Sequence, residues 1–244
     1  MPGLLISDCN RRYHNKAEKS GFQRVEIRFS FFIMNTHDLA NSIKHYLSAQ
    51  GLPGEQAQRL MAPSSRNPQS VKHTAKPRLS AVLLLLYPKD GRWHLALTKR
   101  HTYKGSHSAQ ISLPGGKMEM EDKDLMHCAL RETFEEIGVQ CDADRVIGHL
   151  SSLYIPISNF EVHPFIALID YTPSFVHDPY EVDYLIEIPL SLLTDPDGKG
   201  SIRLRNQDSH ITAPVYQLED DYIWGATAMI LSEFAEILKR LSDQ

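Results

Sequence analysis

The sequence predicts an α/β protein in which a mixed sheet lies between helices, and three observations predict it. An unbroken apolar stretch from Ala81 to Tyr87 has the length of a strand and suits burial on both faces. Asp90 and Gly91 supply a hairpin turn before a return strand from Trp93 to Thr98. Helical patterns recur before, between and after the strands, the last from about Ala226 to Arg240 with Met229, Phe234, Ile237 and Leu238 near helical spacing. Elements in that order build layers around one core.

Taken along the chain, Met34 opens the domain. Asn35, Thr36 and Asp38 offer caps for a helix running through Ile43 and Leu47, and Gly51 closes it. Residues 1–33 mix polar, basic and aromatic side chains without helical periodicity, and Phe29 to Met34 is too short for a signal-peptide core. They are expected to be a disordered tail or a gene-start artefact, leaving 34–244 as the functional domain. GEQAQRLMAP reads as a short helix and SSRNPQSVKHTAKPR as a polar connector. After the hairpin and a central helix, Val146 to Tyr154 and Val162 to Tyr171 read as strands. Val182 to Ile188 reads as a strand whose acidic neighbours also suit a helix start. Ile202 to Leu204 and Ala213 to Gln217 form a hairpin around a polar loop.

Composition fits one enzyme domain. At 244 residues and 42% hydrophobic, the chain can bury a sizeable core. The formal net charge of −4 gives no electrostatic footprint for nucleic acid or an anionic membrane. No span is long and apolar enough to cross a bilayer as a helix. Cys9, Cys128 and Cys141 form no metal-binding or redox pattern, which suits a reducing, cytoplasmic setting, and Cys128 reads as a small core residue. The histidines show no zinc spacing.

The chemistry concentrates in LPGGKMEMEDKDLMHCALRETFEEIGV, Leu113 to Val139. On a helix, Glu132 shares a face with Glu135 and Glu136, so three carboxylates converge. Like charges at that spacing cost an isolated helix about a few tenths of a kcal/mol per pair, so a partner is needed, and a hard divalent cation is the natural one. Arg131 adds a planar fork able to orient a carboxylate. Gly115 and Gly116 let the backbone approach a ligand, and Gly138 ends the helix.

These residues resemble the Nudix box, GX5EX7REUXEEXGU, with Arg131, Glu132, Glu135, Glu136, Gly138 and Val139 in matching places. Thr133 stands where an apolar residue is expected, Asp122 stands where the loop glutamate is, and eight residues rather than seven separate it from Arg131. That longer spacing resembles the coenzyme A pyrophosphatase branch. The upstream Leu97-Thr98-Lys99-Arg100 is similar to that branch's lead-in, although Gly105, Ala109 and Leu113 depart from its Arg, Gly and Phe. LYIPISNFEVHPF, Leu153 to Phe165, and IWGATAMIL, Ile223 to Leu231, are also similar to segments of these enzymes.

The resemblance implies a Nudix-type α/β/α sandwich and metal-dependent hydrolysis of a diphosphate-linked nucleotide. Coenzyme A or a derivative leads as substrate, with ADP-ribose or a dinucleotide as the alternative. A non-catalytic nucleotide sensor is a third reading, opposed by the intact box. It implies Mg2+ or Mn2+ held by Glu132, Glu135 and Glu136, with the Gly116 carbonyl joining them, while Arg131 orients a carboxylate. Glu132 is the first candidate for general base and Glu181, in DPYEVDY, the second. Arg100, Lys99 and Lys104 are candidates to meet phosphates, and His107 and His163 read as polar lining rather than catalysts. The expected partner is a small nucleotide diphosphate, with no nucleic acid or membrane; a homodimer is compatible with the resemblance.

Overall fold

The computed structural model describes residues 34–66, 76–101, 110–206 and 209–243. Its centre is strand β1 (Arg78–Lys89), buried over most of its length. Side chains alternate across a strand. Leu84 and Leu86 therefore join one apolar cluster, while Ala81, Leu83, Leu85 and Tyr87 join another on the opposite face. β1 turns through Asp90 and Gly91 into antiparallel β2 (Arg92–Arg100). Both turn residues have positive φ, +50° and +69°, as a two-residue hairpin matching strand twist demands.

Short strands β3 (Ile111–Ser112) and β4 (Gly115–Lys117) follow, pairing with β2 and β1 respectively. The chain then crosses through helix α3 (Leu125–Ile137) to β5 (Val146–His149), β6 (Leu153–Ile155) and β7 (Phe160–Leu168). β7 lies parallel to β1, and the remaining pairings of this eight-stranded sheet are antiparallel, so the sheet is mixed. Helices α1 (Thr36–Gln50), α2 (Gly54–Arg59) and α5 (Gly225–Ser242) form one layer, with Leu39, Ile43, Ile230, Phe234 and Ile237 packed against Leu84, Leu86, Leu95 and Leu97. α3 forms the other, with Cys128, Ala129 and Ile137 against Leu83, Leu85 and Ala96. This is the expected three-layer α/β/α arrangement.

The caps read from sequence are in place. The Asn35 side chain accepts the Asp38 N–H at 3.0 Å, and Gly51 takes φ +73° after α1. Met34 is tied in, because Trp93 Nε1 donates to its carbonyl at 2.9 Å. Residues 1–33, and with them Cys9, lie outside the described residues.

Several elements differ from expectation in extent: β7 ends at Leu168 rather than Tyr171, and α2 ends at Arg59 rather than running through Pro63. Val146 to Tyr154 is not one strand but β5 and β6, because the backbone between them bonds elsewhere. Ser151 donates its N–H and hydroxyl to Glu233 at 3.2 and 2.8 Å, and its carbonyl accepts from Gln58 at 3.1 Å. The polar hairpin is longer than its apolar residues indicated, running through β9 (Lys199–Asn206) and β10 (Ser209–Gln217), which with β11 (Tyr222–Ile223) form a separate three-stranded sheet. Val182 to Ile188, open to two readings in sequence, is strand β8 (Val182–Pro189) along the outer edge of β2. A short helix, α4 (Ser191–Thr194), follows it.

Candidate active site

Helix α3 is fixed at both ends. The Asp124 carboxylate accepts the His127 N–H at 2.9 Å as N-cap, and Gly138 closes the helix in the left-handed region at φ +72°. Its last carbonyls are taken by a following loop: Val176 N–H donates to Ile137 O at 3.1 Å and Asp178 N–H to Glu136 O at 3.0 Å. Thr133, the polar residue at an apolar position, is fully buried and spends its hydroxyl on Ala129 O one turn back at 2.7 Å. That removes the cost of burying it.

The structure divides the three expected carboxylates. Glu136 points inward and is 2% exposed. Its carboxylate accepts from Gly115 N–H and from the Arg100 guanidinium, each at 3.2 Å. Burial pushes it up to about 7, with Glu132 and Glu181 adding to the rise and Arg100 opposing it. Glu132 is half-buried; burial raises it too, Arg131 pulls it down, and Glu135 and Glu181 push it up. Glu135 lies at the surface, paired with Arg131 at 2.8 Å. Among the described residues no three His, Cys, Asp or Glu side chains stand together as a ready-made metal cage.

Arg131 is the hub of the outer side. Its Nε and Nη2 grip the two oxygens of Asp122 at 2.8 Å each, Nη1 reaches Glu132 at 3.0 Å, and Nη2 also donates to Lys117 O at 3.3 Å. This fork holds the Asp122 carboxyl down at about 2. Cys128, buried beneath, has its thiol pushed up to about 12 by desolvation and the carboxylates near it. It is a core residue, as read.

The two glycines serve different contacts. A Cβ on Gly115, whose φ is +148°, would stand 2.3 Å from Ala81 O and 2.6 Å from Val82 Cα. One on Gly116 would stand 2.4 Å from the Glu132 carboxylate. The glycines therefore admit the protein's own backbone and the Glu132 carboxylate of α3. A divalent cation fits this donor set. Glu132 and Glu136 are desolvated, both feel Glu181, and the Gly116 backbone lies against one of them with no side chain between.

Beside these groups opens a cleft of about 280 Å³. Arg100 and Gly115 to Lys117 line it together with Ile111, Leu113, Ile155, Phe160, Val162 and Ile230. The lead-in, LYIPISNFEVHPF and IWGATAMIL, separate in sequence, thus meet at one place. Leu113 fills the wall position where the upstream pattern expects Phe. The Ser158 hydroxyl is buried and has no hydrogen-bond partner among the described residues.

Other expected residues are placed variously. Glu181 sits exposed at the start of β8, its backbone turning on Asp178 O at 3.3 Å, and its field reaches both Glu132 and Glu136. Lys99 turns away from Arg100, as neighbours on a strand do, and pairs with Asp221, which also accepts the Tyr184 hydroxyl at 3.2 Å. His163 lies 3.7 Å from Glu161. Lys104, Gly105, His107 and Ala109 lie outside the described residues. Sequence reading missed Glu233, a fully buried carboxylate on α5 that accepts from Gly54, Gln58 and Ser151. In sequence it is one more acidic residue of an amphipathic helix, and no local signal marks it.

The fold thus holds Glu132 and Glu136 of α3 behind Gly115, Gly116 and Arg100, and these three line the cleft. The model of the family described as the NUDIX domain matches residues 77–183. Nudix hydrolase 3 of Caenorhabditis elegans is 29% identical over 192 residues, 72% of this chain and 80% of its own length. The uncharacterized Nudix hydrolase NudL of Yersinia pestis is 30% identical over 142 residues, 58% of this chain and 71% of its own length. Among solved structures, a MutT/nudix family protein from Enterococcus faecalis aligns over 80% of this chain and 73% of its own with a TM-score of 0.49 and 20% identity. The chain belongs to the Nudix hydrolase family and is an enzyme acting on pyrophosphate bonds.

Proposed function

We propose that this protein hydrolyses the diphosphate linkage of coenzyme A or its derivatives to 3',5'-ADP and 4'-phosphopantetheine. The observation that carries the reading is the placement of Glu132 and Glu136 against Gly115, Gly116 and Arg100, which help line a mainly apolar cleft. Such a cleft suits a substrate with an extended arm beyond its phosphates. The one-residue-longer box and the meeting of the lead-in, the LYIPISNFEVHPF segment and the IWGATAMIL segment support the coenzyme A branch.

Glu132 and Glu136, with Glu135 and the Gly116 carbonyl, would hold Mg2+ or Mn2+. Bound there, such an ion would supply charge neutralisation of the phosphates and activation of the attacking water. Arg131 holds Asp122 and Glu132 in fixed orientation, so the box carboxylates need not reorganise during turnover. Arg100, in contact with Glu136, is placed to donate to a phosphate oxygen. Glu132 takes the water's proton, and Glu181 is the alternative base at the open side of the site. The functional unit is 34–244, acting in the cytoplasm on a small nucleotide diphosphate.

The deciding experiment compares kcat/KM for coenzyme A and ADP-ribose with Mg2+ and Mn2+. A preference for coenzyme A of at least roughly tenfold is expected, about 1.4 kcal/mol of differential transition-state stabilisation. Equal efficiency, or preference for ADP-ribose, would overturn the branch assignment and favour the alternative substrate.

A further inference from the structure

Tyr180 is 90% exposed, well beyond Phe134, Tyr171, Tyr184 and Tyr222, the other exposed aromatics among the described residues. Its backbone, however, is held. Tyr180 N–H donates to Asp178 Oδ1 at 2.8 Å, Glu181 and Val182 N–H donate to Asp178 O at 3.3 and 2.9 Å, and Pro179 O lies 2.9 Å from the His101 ring nitrogen. Asp178 N–H in turn donates to the carbonyl of Glu136 itself. The ring therefore stands on a turn clamped to the box helix, one residue from Glu181, whose charge is felt by Glu132 and Glu136.

Among the described residues that line the cleft, Phe160 is the one aromatic side chain. The Arg78 guanidinium covers the Phe160 ring at 4.1 Å from its centroid, and the other walls are aliphatic or polar. The cleft also lies on the α5 side of the sheet, since Ile111, Leu113, Val162 and Ile230 belong to the core packed there. The turn lies on the other side, because Phe175, just before it, packs into the core beneath α3. Arg100 lines the cleft and contacts the Glu136 carboxylate, and the Glu136 carbonyl holds the turn. A substrate with its phosphates beside them would send one end into the cleft and the other towards Tyr180.

We propose that Tyr180 is the base-stacking residue of the site, receiving the heterocyclic base of a nucleotide whose phosphates lie beside Arg100 and the Glu132 and Glu136 carboxylates. The assignment rests on the nucleotide-diphosphate reading above and specifies which side chain takes which end of the substrate. Stacking uses a face common to all bases, so Tyr180 selects for the presence of a base more than for its identity.

The test is calorimetric binding of adenosine 5'-monophosphate and of ribose 5-phosphate, which has the same phosphate and sugar without the base, to the full chain carrying Tyr180, Tyr180→Ala or Tyr180→Phe. Tyr180→Ala is expected to weaken adenosine monophosphate binding at least roughly tenfold while Tyr180→Phe keeps it within about twofold. Ribose 5-phosphate affinity and the thermal midpoint should be the same in all three. Unchanged adenosine monophosphate binding in Tyr180→Ala, equal loss for both ligands, or a parent protein that binds the two equally would each overturn the proposal. No turnover is measured, so a failed coenzyme A preference leaves this result standing or falling separately.

Discussion

Asp122 and Arg131 meet as a two-pronged pair, with the guanidinium Nε and Nη2 each 2.8 Å from one carboxylate oxygen and the Asp122 side chain 3% exposed. An aspartate nine positions before the arginine thereby fills the loop position where the family pattern has glutamate. The shorter side chain still reaches its partner. Asp122 thus braces the arginine that also holds Glu132 and Glu135.

Replacing Asp122 by Asn should cost stability at neutral pH, about 1–3 kcal/mol, because a charged and hydrogen-bonded pair is left half made. The folded pKa of about 2 lies below the ordinary 3.8, so the pair's contribution is present above that ordinary value and disappears as pH falls towards 2. Thermal midpoints of parent and Asp122→Asn should differ at pH 7 and draw together as pH falls through about 2. A gap that stays constant over that range would contradict the pairing.

The glycine pair separates fold from chemistry. Gly115→Ala drives a Cβ into backbone at Ala81 and Val82 and forces alanine to φ +148°. It should lower stability by about 1–3 kcal/mol, the usual range for overpacking, or more. Gly116→Ala meets only the movable carboxylate of Glu132, so the fold should survive while kcat falls. Paired melting curves and rate measurements check this, and a Gly116→Ala protein with parental kcat would remove the Gly116–Glu132 contact from the catalytic account.

Much of this was legible in sequence, for identifiable reasons. The β1–β2 hairpin declared itself through Asp90-Gly91 because that turn demands two positive φ values. The end of α3 followed from Gly138 and the bounds of α1 from Asn35 and Gly51, whereas the Asp124 cap of α3 is shown by the structure alone. Where long-range bonds decide, local pattern failed. The break between β5 and β6 is made by Glu233 and Gln58, far away in sequence, and β8 is a strand because the edge of β2 pairs with it. Helical spacing placed Glu132, Glu135 and Glu136 on one side, yet could not show that Arg131 draws Glu135 outward while Gly115 and Arg100 draw Glu136 in.

The proton acceptor can be assigned by rate. Glu181 is exposed and carries no packing, so Glu181→Gln should leave the thermal midpoint unchanged. With Glu132 as base, Glu181→Gln should lower kcat by less than roughly a hundredfold, below the range usual for loss of a general base. A larger loss at Glu181 than at Glu132 would transfer the role to Glu181.

The central claim is that the box carboxylates carry the reaction through a divalent ion, and Glu136→Gln tests it most directly. The amide keeps the shape and can keep the hydrogen bond from Gly115 but leaves the Arg100 guanidinium without its carboxylate, so a stability loss of about 1–3 kcal/mol is expected with the fold retained. Diphosphate hydrolysis at saturating Mg2+ or Mn2+ should fall by more than roughly a hundredfold, beyond the losses typical of groups that merely support a ligand. A well-folded Glu136→Gln protein turning over at near-parental rate would contradict the account.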